Sequence, residues 1–262
     1  MHSVFIRCSC GAKDLASVLL WEAGATGVIE RDLPGGEVEL QAFFHERVDL
    51  PESLGADAHW QEEAAVDWMQ VFHDQWEPFP VGERFYLVPE WRSDPAPEGR
   101  LRLTIRPGLA CGTGWHPATQ LSLMALERHM SAGDTVLDLG VGSGILSEAA
   151  ALLGARRVVA CDIDAEAAAI AARNLKGLPV ALFVGSVRSL KDRAVDFTVA
   201  NLNAETIVSL AGEIARVTGR RAAVTGFRER DQERVRAAAL RHFEVAEVSE
   251  MDGWVLLVLH RR

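Results

Sequence analysis

Three closely spaced glycines are the first feature of this sequence that could serve chemistry. In TVLDLGVGSGILSEAA, Gly140, Gly142 and Gly144 follow an apolar run and precede a stretch with helical spacing. Such a strand–turn–helix lets a ligand lie against bare backbone, because no side chain stands in the way. An enzyme that binds a dinucleotide would carry its third glycine at position 145, where this chain has Ile145. The pattern therefore favours a ligand without a diphosphate, such as S-adenosylmethionine, which joins a sulfonium to an amino acid and a nucleoside.

Two aspartates stand where that ligand would need carboxylates. Asp138 precedes the first glycine and would lie near the cationic amino-acid end of the ligand. Asp162 ends the next apolar strand, in RRVVACDID, and can accept hydrogen bonds from both ribose hydroxyls. Ile163 follows it directly and is included in the predicted site. A glycine turn with two helix-capping aspartates is the alternative, but two carboxylates at this spacing predict a site for S-adenosylmethionine.

A polar segment follows a later apolar strand, in VDFTVANLNAE. Asn201 comes just past the carboxyl end of that strand, where ligands bind in open α/β sheets. Methyl transfer from a sulfonium is an in-line displacement, so positioning of the acceptor supplies most of the acceleration. An amine acceptor must be neutral, and a carboxylate beside it would favour the ammonium form. The Asn201 amide and the backbone carbonyl of Leu202 can accept its hydrogens without that penalty, so they are the predicted catalytic pair. Simple capping of the next helix by Asn201 is the alternative.

Helices and strands alternate from Pro117 onward. The apolar spacing predicts helices over 117–130, 144–153, 165–175, 204–217 and 229–242. It predicts strands over 135–139, 157–161, 180–184, 195–200, 221–225, 243–249 and 254–260. This alternation indicates an α/β fold with a doubly wound, Rossmann-like sheet and helices on both faces. A turn at Met251-Asp252-Gly253 makes the last strand antiparallel, which is typical of methyltransferase sheets and unusual in dehydrogenases.

The beginning of the chain has a different pattern and predicts a small α+β domain. Strands are expected at 4–7, 26–30 and 37–44, with a helix over 14–23. From His59 to Trp76 the spacing becomes helical, with Trp68, Phe72 and Trp76 on one face. The predicted organisation is a small α+β domain at 1–58, a linker helix and entry segment at 59–100, and the cofactor-binding domain at 101–262.

Composition narrows the functional class. The 262 residues are 48% hydrophobic and 24% charged, as in a soluble globular protein. They contain no apolar run long enough for a membrane span and no secretory signal at the start, so we expect a cytoplasmic protein. The four cysteines lack a second pair at zinc spacing, so no metal site is expected.

Charge is spread unevenly along the chain. Residues 1–100 have a net charge of −12 and residues 101–262 a net charge of +2. An acidic first part disfavours direct binding to nucleic acid and would attract a basic partner, although acidic faces also serve solubility alone.

The motifs together resemble a known family. GLACGTGWHPATQ, LDLGVGSGIL, VVACDID and VANLNAE are similar to the ribosomal protein L11 methyltransferases of the PrmA type, over roughly residues 60–262. GTGxH joined to DLGxGSG is fairly specific, whereas DLGxGSG alone is shared by many methyltransferases. The spacing of GLACGTGWHPATQ alone predicts only a loop before the helix at Pro117.

The resemblance implies N-methylation of lysine side chains and the N-terminal α-amine of a basic ribosomal large-subunit protein by a monomeric enzyme. The small first domain would hold this protein substrate. By match of motif, the resemblance places Thr113 and His116 in a loop over the cofactor, Gly140, Gly142 and Asp162 at the cofactor, Ser186 near its adenine and Asn201 at the transfer site.

The sequence departs from the family at Cys111, Ala118 and Glu148, where Phe, Thr and an apolar residue are usual. These departures concern the substrate more than the cofactor. A methyltransferase acting on another protein's lysine or on a small molecule is one alternative. A cofactor-binding module without transfer activity is another, which the presence of Asn201 opposes, and a nicotinamide enzyme is opposed by Ile145.

Overall fold

The computed structural model describes residues 2–9, 11–33, 36–51, 54, 58–62, 76–106 and 114–262. The chain forms two compact units, Met1–Gln75 and Trp76–Arg262. Within the described residues, no helix is both long and apolar enough to cross a membrane.

The first unit is a four-stranded antiparallel sheet with a helix packed on one face. Its elements are β1 (His2–Ser9), α1 (Lys13–Glu22), β2 (Gly27–Leu33), β3 (Glu37–Phe44) and β4 (His59–Glu62). The strand order is β2-β3-β1-β4. Alternate residues of the strands face the helix, and Val4, Leu40 and Leu20 form a core that is fully buried.

The helix predicted from His59 was wrong for its first turn. His59–Glu62 is a strand that pairs antiparallel with β1, because Trp60 alternates inward and its ring contacts Phe44 at 5.3 Å. Trp68 and Phe72 of the predicted aromatic face lie outside the described residues.

The second unit begins with a small three-stranded sheet. Its strands are β5 (Phe79–Val81), β6 (Phe85–Pro89) and β7 (Leu101–Ile105), in the order β5-β6-β7. The apolar side chains of this sheet, including Phe85 and Leu103, share one buried cluster with the residues that follow the glycine turn, Ile145 and Leu146. The small sheet thereby supports the start of that helix.

A seven-stranded sheet carries the rest of the unit. The elements are α2 (Pro117–His129), β8 (Thr135–Leu139), α3 (Ile145–Leu152), β9 (Arg157–Asp162), α4 (Ala165–Asn174), β10 (Val180–Val184), β11 (Val195–Asn201), α5 (Ala204–Val217), β12 (Thr218–Arg228), α6 (Gln232–Ala239), β13 (Phe243–Met251) and β14 (Trp254–Arg261). The order is β10-β9-β8-β11-β12-β14-β13, parallel except for β14. The predicted α/β class and the antiparallel last strand are confirmed.

In the seven-stranded sheet and its helices, two elements differ most from the sequence prediction. The helix expected over 229–242 is a 3₁₀ turn at Glu229–Asp231 followed by the shorter α6. The strand expected over 221–225 extends to Thr218–Arg228, because a bulge between Thr225 and Phe227 lets it continue. Both differences arise where a local irregularity interrupts the apolar period.

Since β8 to β12 are parallel, their carboxyl ends meet at one edge of the sheet. The antiparallel β14 brings its first residue, Trp254, to the same edge. Side chains that end different strands are therefore close together there, which is where open α/β sheets bind ligands.

Candidate active site

The glycine turn connects β8 to α3 at this edge. Gly140, Gly142 and Gly144 have φ of +82°, +51° and +90°. The N–H groups of Gly140 and Val141 both donate to the carbonyl of Cys161, at 2.9 and 3.1 Å, which holds the turn against the end of β9. A Cβ at Gly140 would lie 2.5 Å from Leu202 Cδ2. The turn is thus packed against the predicted transfer segment.

Asp162 bridges the turn and the start of α4. Its Oδ2 accepts a hydrogen bond from Gly142 N–H at 3.1 Å and its Oδ1 accepts one from Asp164 N–H at 3.1 Å. Each carboxylate oxygen has a second lone pair, and the side chain is only half-buried. The carboxylate can therefore accept two further hydrogen bonds, which suits a pair of ribose hydroxyls.

We predict that Asp162→Ala weakens binding of S-adenosylmethionine about ten- to a hundredfold, since a charged acceptor is lost. Asp164→Ala is the matched control: its Oδ1 accepts from Glu166 N–H at 2.8 Å and caps α4, so its loss affects stability and not the ligand. Calorimetric titration of both variants is the measurement. Equal affinity for wild type and Asp162→Ala would remove Asp162 from the site.

Asp138 is held inside the protein without a full set of partners. It is 1% exposed, and its Oδ2 accepts a hydrogen bond from Ser147 Oγ at 2.6 Å. Its Oδ1 has no hydrogen-bond partner among the described residues. Burial raises the pKa of Asp138 to about 7, the Ser147 hydrogen bonds lower it, and the charge of Asp162 adds a further increase. Asp138 Oδ1 is thus available to a group that the described residues do not supply.

This raised pKa predicts a pH-dependent stability. Between about pH 4, where the unfolded carboxyl ionises, and pH 7, the folded protein keeps the proton that the unfolded chain loses. The free energy of unfolding of the cofactor-free protein should therefore fall across this range, by on the order of 2–4 kcal/mol from this group. Asp138→Asn removes that contribution, so it should gain stability relative to wild type from pH 5 to pH 8. Denaturant unfolding at both pH values measures it, and a constant difference between the two proteins would contradict it.

The neighbouring end of β9 and β10 offers apolar and hydroxyl groups. Ile163 is 82% exposed and Val184 is 57% exposed. Ser186 follows after Gly185, whose N–H donates to Asp162 O at 2.7 Å, and its Oγ caps the 3₁₀ turn that begins at Val187. The exposed aliphatic side chains of Ile163 and Val184, near Asp162, provide an apolar surface on which the adenine ring could pack.

Asn201 ends β11 and points into the region between β12 and α2. Its Nδ2 donates to Thr119 Oγ1 at 3.4 Å, and no described residue donates to its Oδ1. The following N–H, of Leu202, donates to Thr225 O at 2.9 Å. Asn203, not Asn201, caps α5, with its Oδ1 accepting from Thr206 N–H at 2.8 Å. The amide oxygen of Asn201 is therefore free to accept, and the simple capping alternative was wrong.

His116 is fixed at the first turn of α2. Its Nδ1 accepts a hydrogen bond from Ala118 N–H at 3.2 Å, and its ring meets the Trp254 ring edge-on at 4.3 Å. Burial and then the charge of Arg228 lower the pKa of His116. The neutral ring serves as a helix cap here, and its contact with the cofactor stays a prediction. Thr113 lies outside the described residues.

Two functional neighbours were missed by the sequence reasoning. Ser147, in the first half of α3, donates a hydrogen bond to Asp138. Nothing in the sequence spacing indicates this contact. Gly226 has φ of +99°, and a Cβ there would lie 2.4 Å from Leu202 O and 2.8 Å from Asn201 Oδ1. A glycine inside a strand signals a bulge or a close backbone approach, so this signal was present in the sequence.

Two further ionisable side chains near the glycine turn are buried. Glu148, which departs from the family's apolar residue, is a largely buried carboxylate that pairs with Arg106 at 3.2 Å. Cys161 is a buried free thiol, and burial together with the charges of Asp138 and Asp162 raises its pKa to about 12. Within the described residues no group of three His, Cys, Asp or Glu is placed to hold a metal ion.

S-Adenosylmethionine fits these residues. The unpartnered oxygen of Asp138 suits a cation, and Asp162 has free acceptor positions beside a turn whose backbone is bare. No phosphate-binding helix end is required for such a ligand.

Comparison with known proteins identifies the family of this chain. A family model described as ribosomal protein L11 methyltransferase (PrmA) matches residues 2–262. The chain is 39% identical over 219 residues to a ribosomal protein L11 methyltransferase of Pseudomonas aeruginosa (strain LESB58), covering 82% of this chain and 72% of the relative. It is 40% identical over 206 residues to the protein of that name from Deinococcus radiodurans, covering 75% and 73%.

Among solved structures, a ribosomal protein L11 methylase from Lactobacillus delbrueckii subsp. bulgaricus is similar, with a TM-score of 0.66 and 29% identity. The match covers 71% of this chain and all of the other. The chain therefore belongs to the ribosomal protein L11 methyltransferase family, and it is an enzyme that uses S-adenosylmethionine as its methyl donor.

Proposed function

We propose that this enzyme methylates amine nitrogens, the lysine side chains and the N-terminal α-amine, of ribosomal protein L11. The names of the relatives support the protein substrate. The observation that carries the choice of an amine is the Asn201 amide oxygen, which accepts no hydrogen bond from a described residue and lies beside the backbone of Leu202. Two uncharged acceptors can orient an N–H₂ group without favouring its protonation.

The chain's own residues divide the work at this edge. Asp138 would hold the cationic end of S-adenosylmethionine, Asp162 its ribose, and Ile163 and Ser186 its base. When bound, the cofactor supplies a methyl group on a sulfonium, which is a good leaving group. Asn201 and the carbonyl of Leu202 would orient the amine, whose lone pair forms the new N–C bond as the S–CH₃ bond breaks and a neutral thioether leaves. The proton on nitrogen then passes to water. Positioning is the main contribution of the protein.

Labelling of a mixture tests this assignment. The enzyme is incubated with methyl-labelled S-adenosylmethionine and an extract of ribosomal proteins, and the labelled species are identified by mass spectrometry. Label on L11 amines is expected. Label on another protein's lysine or on small molecules alone would favour the alternative substrate, and no label at all would favour a binding module.

We also propose that the first unit captures the substrate. The first unit, residues 1–75, contains four Lys/Arg and fourteen Asp/Glu, and its net charge of −10 would attract a basic protein and repel nucleic acid. Glu37 and Glu39 lie on the sheet face opposite α1, beside a depression of about 690 Å³ that His59 and Gln61 also line. Arg7 lines it too and pairs with Glu39 at 3.3 Å, so among the described residues Glu37 is the unpaired carboxylate of the two. A monomeric enzyme acting in the cytoplasm is the proposed setting.

Two experiments test whether the first unit binds the substrate: the salt dependence of the KM for L11 and removal of the first unit. The KM for L11 should rise with ionic strength, because the Debye length falls from about 10 Å at 0.1 M to about 3 Å at 1 M. A chain that starts at Trp76 retains every described cofactor residue, so it should bind S-adenosylmethionine and fail to methylate L11. Cofactor affinity is the control for folding. If the truncated chain methylates L11 as well as the intact enzyme does, the first unit is not the recognition element.

A further inference from the structure

An exposed aromatic platform, formed by Trp115 and Phe79, lies in the second unit. The two rings are 4.1 Å apart with an angle of 34°, and Trp76 meets Trp115 edge-on at 5.8 Å. Gln120 Nε2 donates to Trp115 O at 3.0 Å and fixes the backbone. Trp115 is nevertheless 46% exposed. A large rigid ring that is supported on one side and open on the other is typical of a binding surface.

The residues around Trp115 lead directly to the transfer site. A Cβ on Gly114 would lie 3.4 Å from Ile145 Cδ1, at the start of the helix that follows the glycine turn. His116 caps α2. One turn further, Thr119 contacts Asn201. The segment that carries Trp115 therefore approaches Ile145 on one side and the acceptor amide on the other.

The same edge shows what kind of group such a ring binds. The Arg228 guanidinium lies over the Trp254 ring, 4.2 Å from its centroid, while His116 meets the same ring edge-on. Trp115 presents a comparable face, and no cation of the described chain lies over it. Cation–π attraction is strongest for tryptophan and suits alkylated ammonium groups.

Acidic side chains lie around Trp254 at this edge and would favour the approach of a cationic group. Glu229 and Glu250 are exposed carboxyl groups at the end of β12 and the end of β13, and Asp252 is exposed in the following turn. The Glu229 carboxyl beside it raises the pKa of Glu250, through a hydrogen bond and through charge repulsion. The segment also carries two cations: Arg228 is engaged by Trp254 and by Asp252 O at 3.0 Å, and Arg230 pairs with Asp231 at 3.6 Å.

We propose that Trp115, supported by Phe79, is an acceptor-side subsite that binds the alkylammonium side chain of the protein substrate, both lysine and its methylated forms. The inference rests on the proposed function for the identity of the substrate, but the subsite can be tested without turnover.

Choline is the probe for binding, and 3,3-dimethylbutan-1-ol, which has the same shape and no charge, is its control. The indole N–H signal of Trp115 in a tryptophan-labelled spectrum is assigned by its loss in Trp115→Leu. Choline should shift this signal well beyond the effect of equimolar sodium chloride, and the neutral alcohol should shift it much less. Equal shifts by choline and the alcohol would show plain apolar contact and overturn the proposal, as would no shift.

Steady-state kinetics with L11 provide the second test. Trp115→Leu should raise the KM for L11 about two- to thirtyfold, the range of a cation–π contact, with kcat and cofactor affinity little changed. Trp115→Phe keeps an aromatic face and should restore most of the affinity. Leu240→Ala, which alters an equally accessible apolar residue after α6 and is 37% exposed in the wild type, should behave as wild type.

A wild-type KM for Trp115→Leu would overturn the subsite. Failure of the wild-type enzyme to methylate L11 would instead refute the proposed function, and the choline titration would still decide the platform.

Discussion

Replacement of Asn201 by Asp is expected to leave S-adenosylmethionine binding nearly unchanged and to reduce methyl transfer at neutral pH about ten- to a hundredfold. A carboxylate within about 4–6 Å of the acceptor raises the pKa of the amine by about 1–2 units, so the neutral fraction falls in proportion. The loss should diminish as the pH is raised toward the amine's pKa. Asn201→Ala should also transfer poorly, because the nitrogen is no longer oriented, but without this strong pH dependence.

Asn203 provides the matched control for that experiment. It stands two residues along the chain and caps α5 through Thr206 N–H at 2.8 Å, so Asn203→Ala should cost about 1 kcal/mol of stability and leave transfer intact. Single-turnover rates from pH 6 to pH 10, with cofactor affinity measured separately, distinguish the three variants. Full transfer by Asn201→Asp at neutral pH would mean that the amine is handled elsewhere.

Replacement of Gly226 by Ala is expected to damage both the fold and the chemistry. A Cβ at this position would lie 2.4 Å from Leu202 O and 2.7 Å from Leu202 N, so the backbone of the transfer segment must move. Overpacking of this kind, added to the strain of a positive φ, should lower the free energy of unfolding by about 2–4 kcal/mol. A displacement near 1 Å at the acceptor site should reduce transfer about a hundredfold.

Gly177 separates the two causes. It has φ of +89°, but nothing lies within 4 Å of a Cβ placed there. Gly177→Ala therefore carries the conformational strain alone, which costs about 1 kcal/mol, and should keep full activity. Urea unfolding and kcat for both variants make the comparison. If Gly226→Ala transfers methyl groups as fast as Gly177→Ala, the close approach of Gly226 to Leu202 is not needed to position the acceptor site.

Most of the second unit could be predicted because its sequence pattern is local. Apolar strands that end in glycine or aspartate and helices that begin at Pro117, Ala165 and Ala204 agree with the structure to within a few residues. Asp138, Asp162 and Asn201 each lie at or near the carboxyl end of a strand. Because these strands are parallel, the three side chains meet at one edge of the sheet.

Features that depend on tertiary contacts could not be obtained in this way. The strand at His59–Glu62 exists because β1 has a free edge for it and Trp60 has a core to enter. Ser147 becomes the partner of Asp138 only because of the way in which α3 packs. His116 acts as a helix cap through a single hydrogen bond, from Ala118 N–H. Gly226 could have been identified as a close approach, but the residue it approaches is fixed only by the pairing of β11 with β12.

The proposed reaction is the methylation of L11 amine nitrogens by S-adenosylmethionine through Asn201. Its most direct test is tandem mass spectrometry of purified L11 after incubation with the enzyme and methyl-labelled cofactor, with Asn201→Ala as the parallel reaction. Labelled methyl groups are expected on lysine Nζ atoms or the α-amine, with little label when the variant is used. Label confined to other atoms of L11, or equal labelling by the variant, would contradict it.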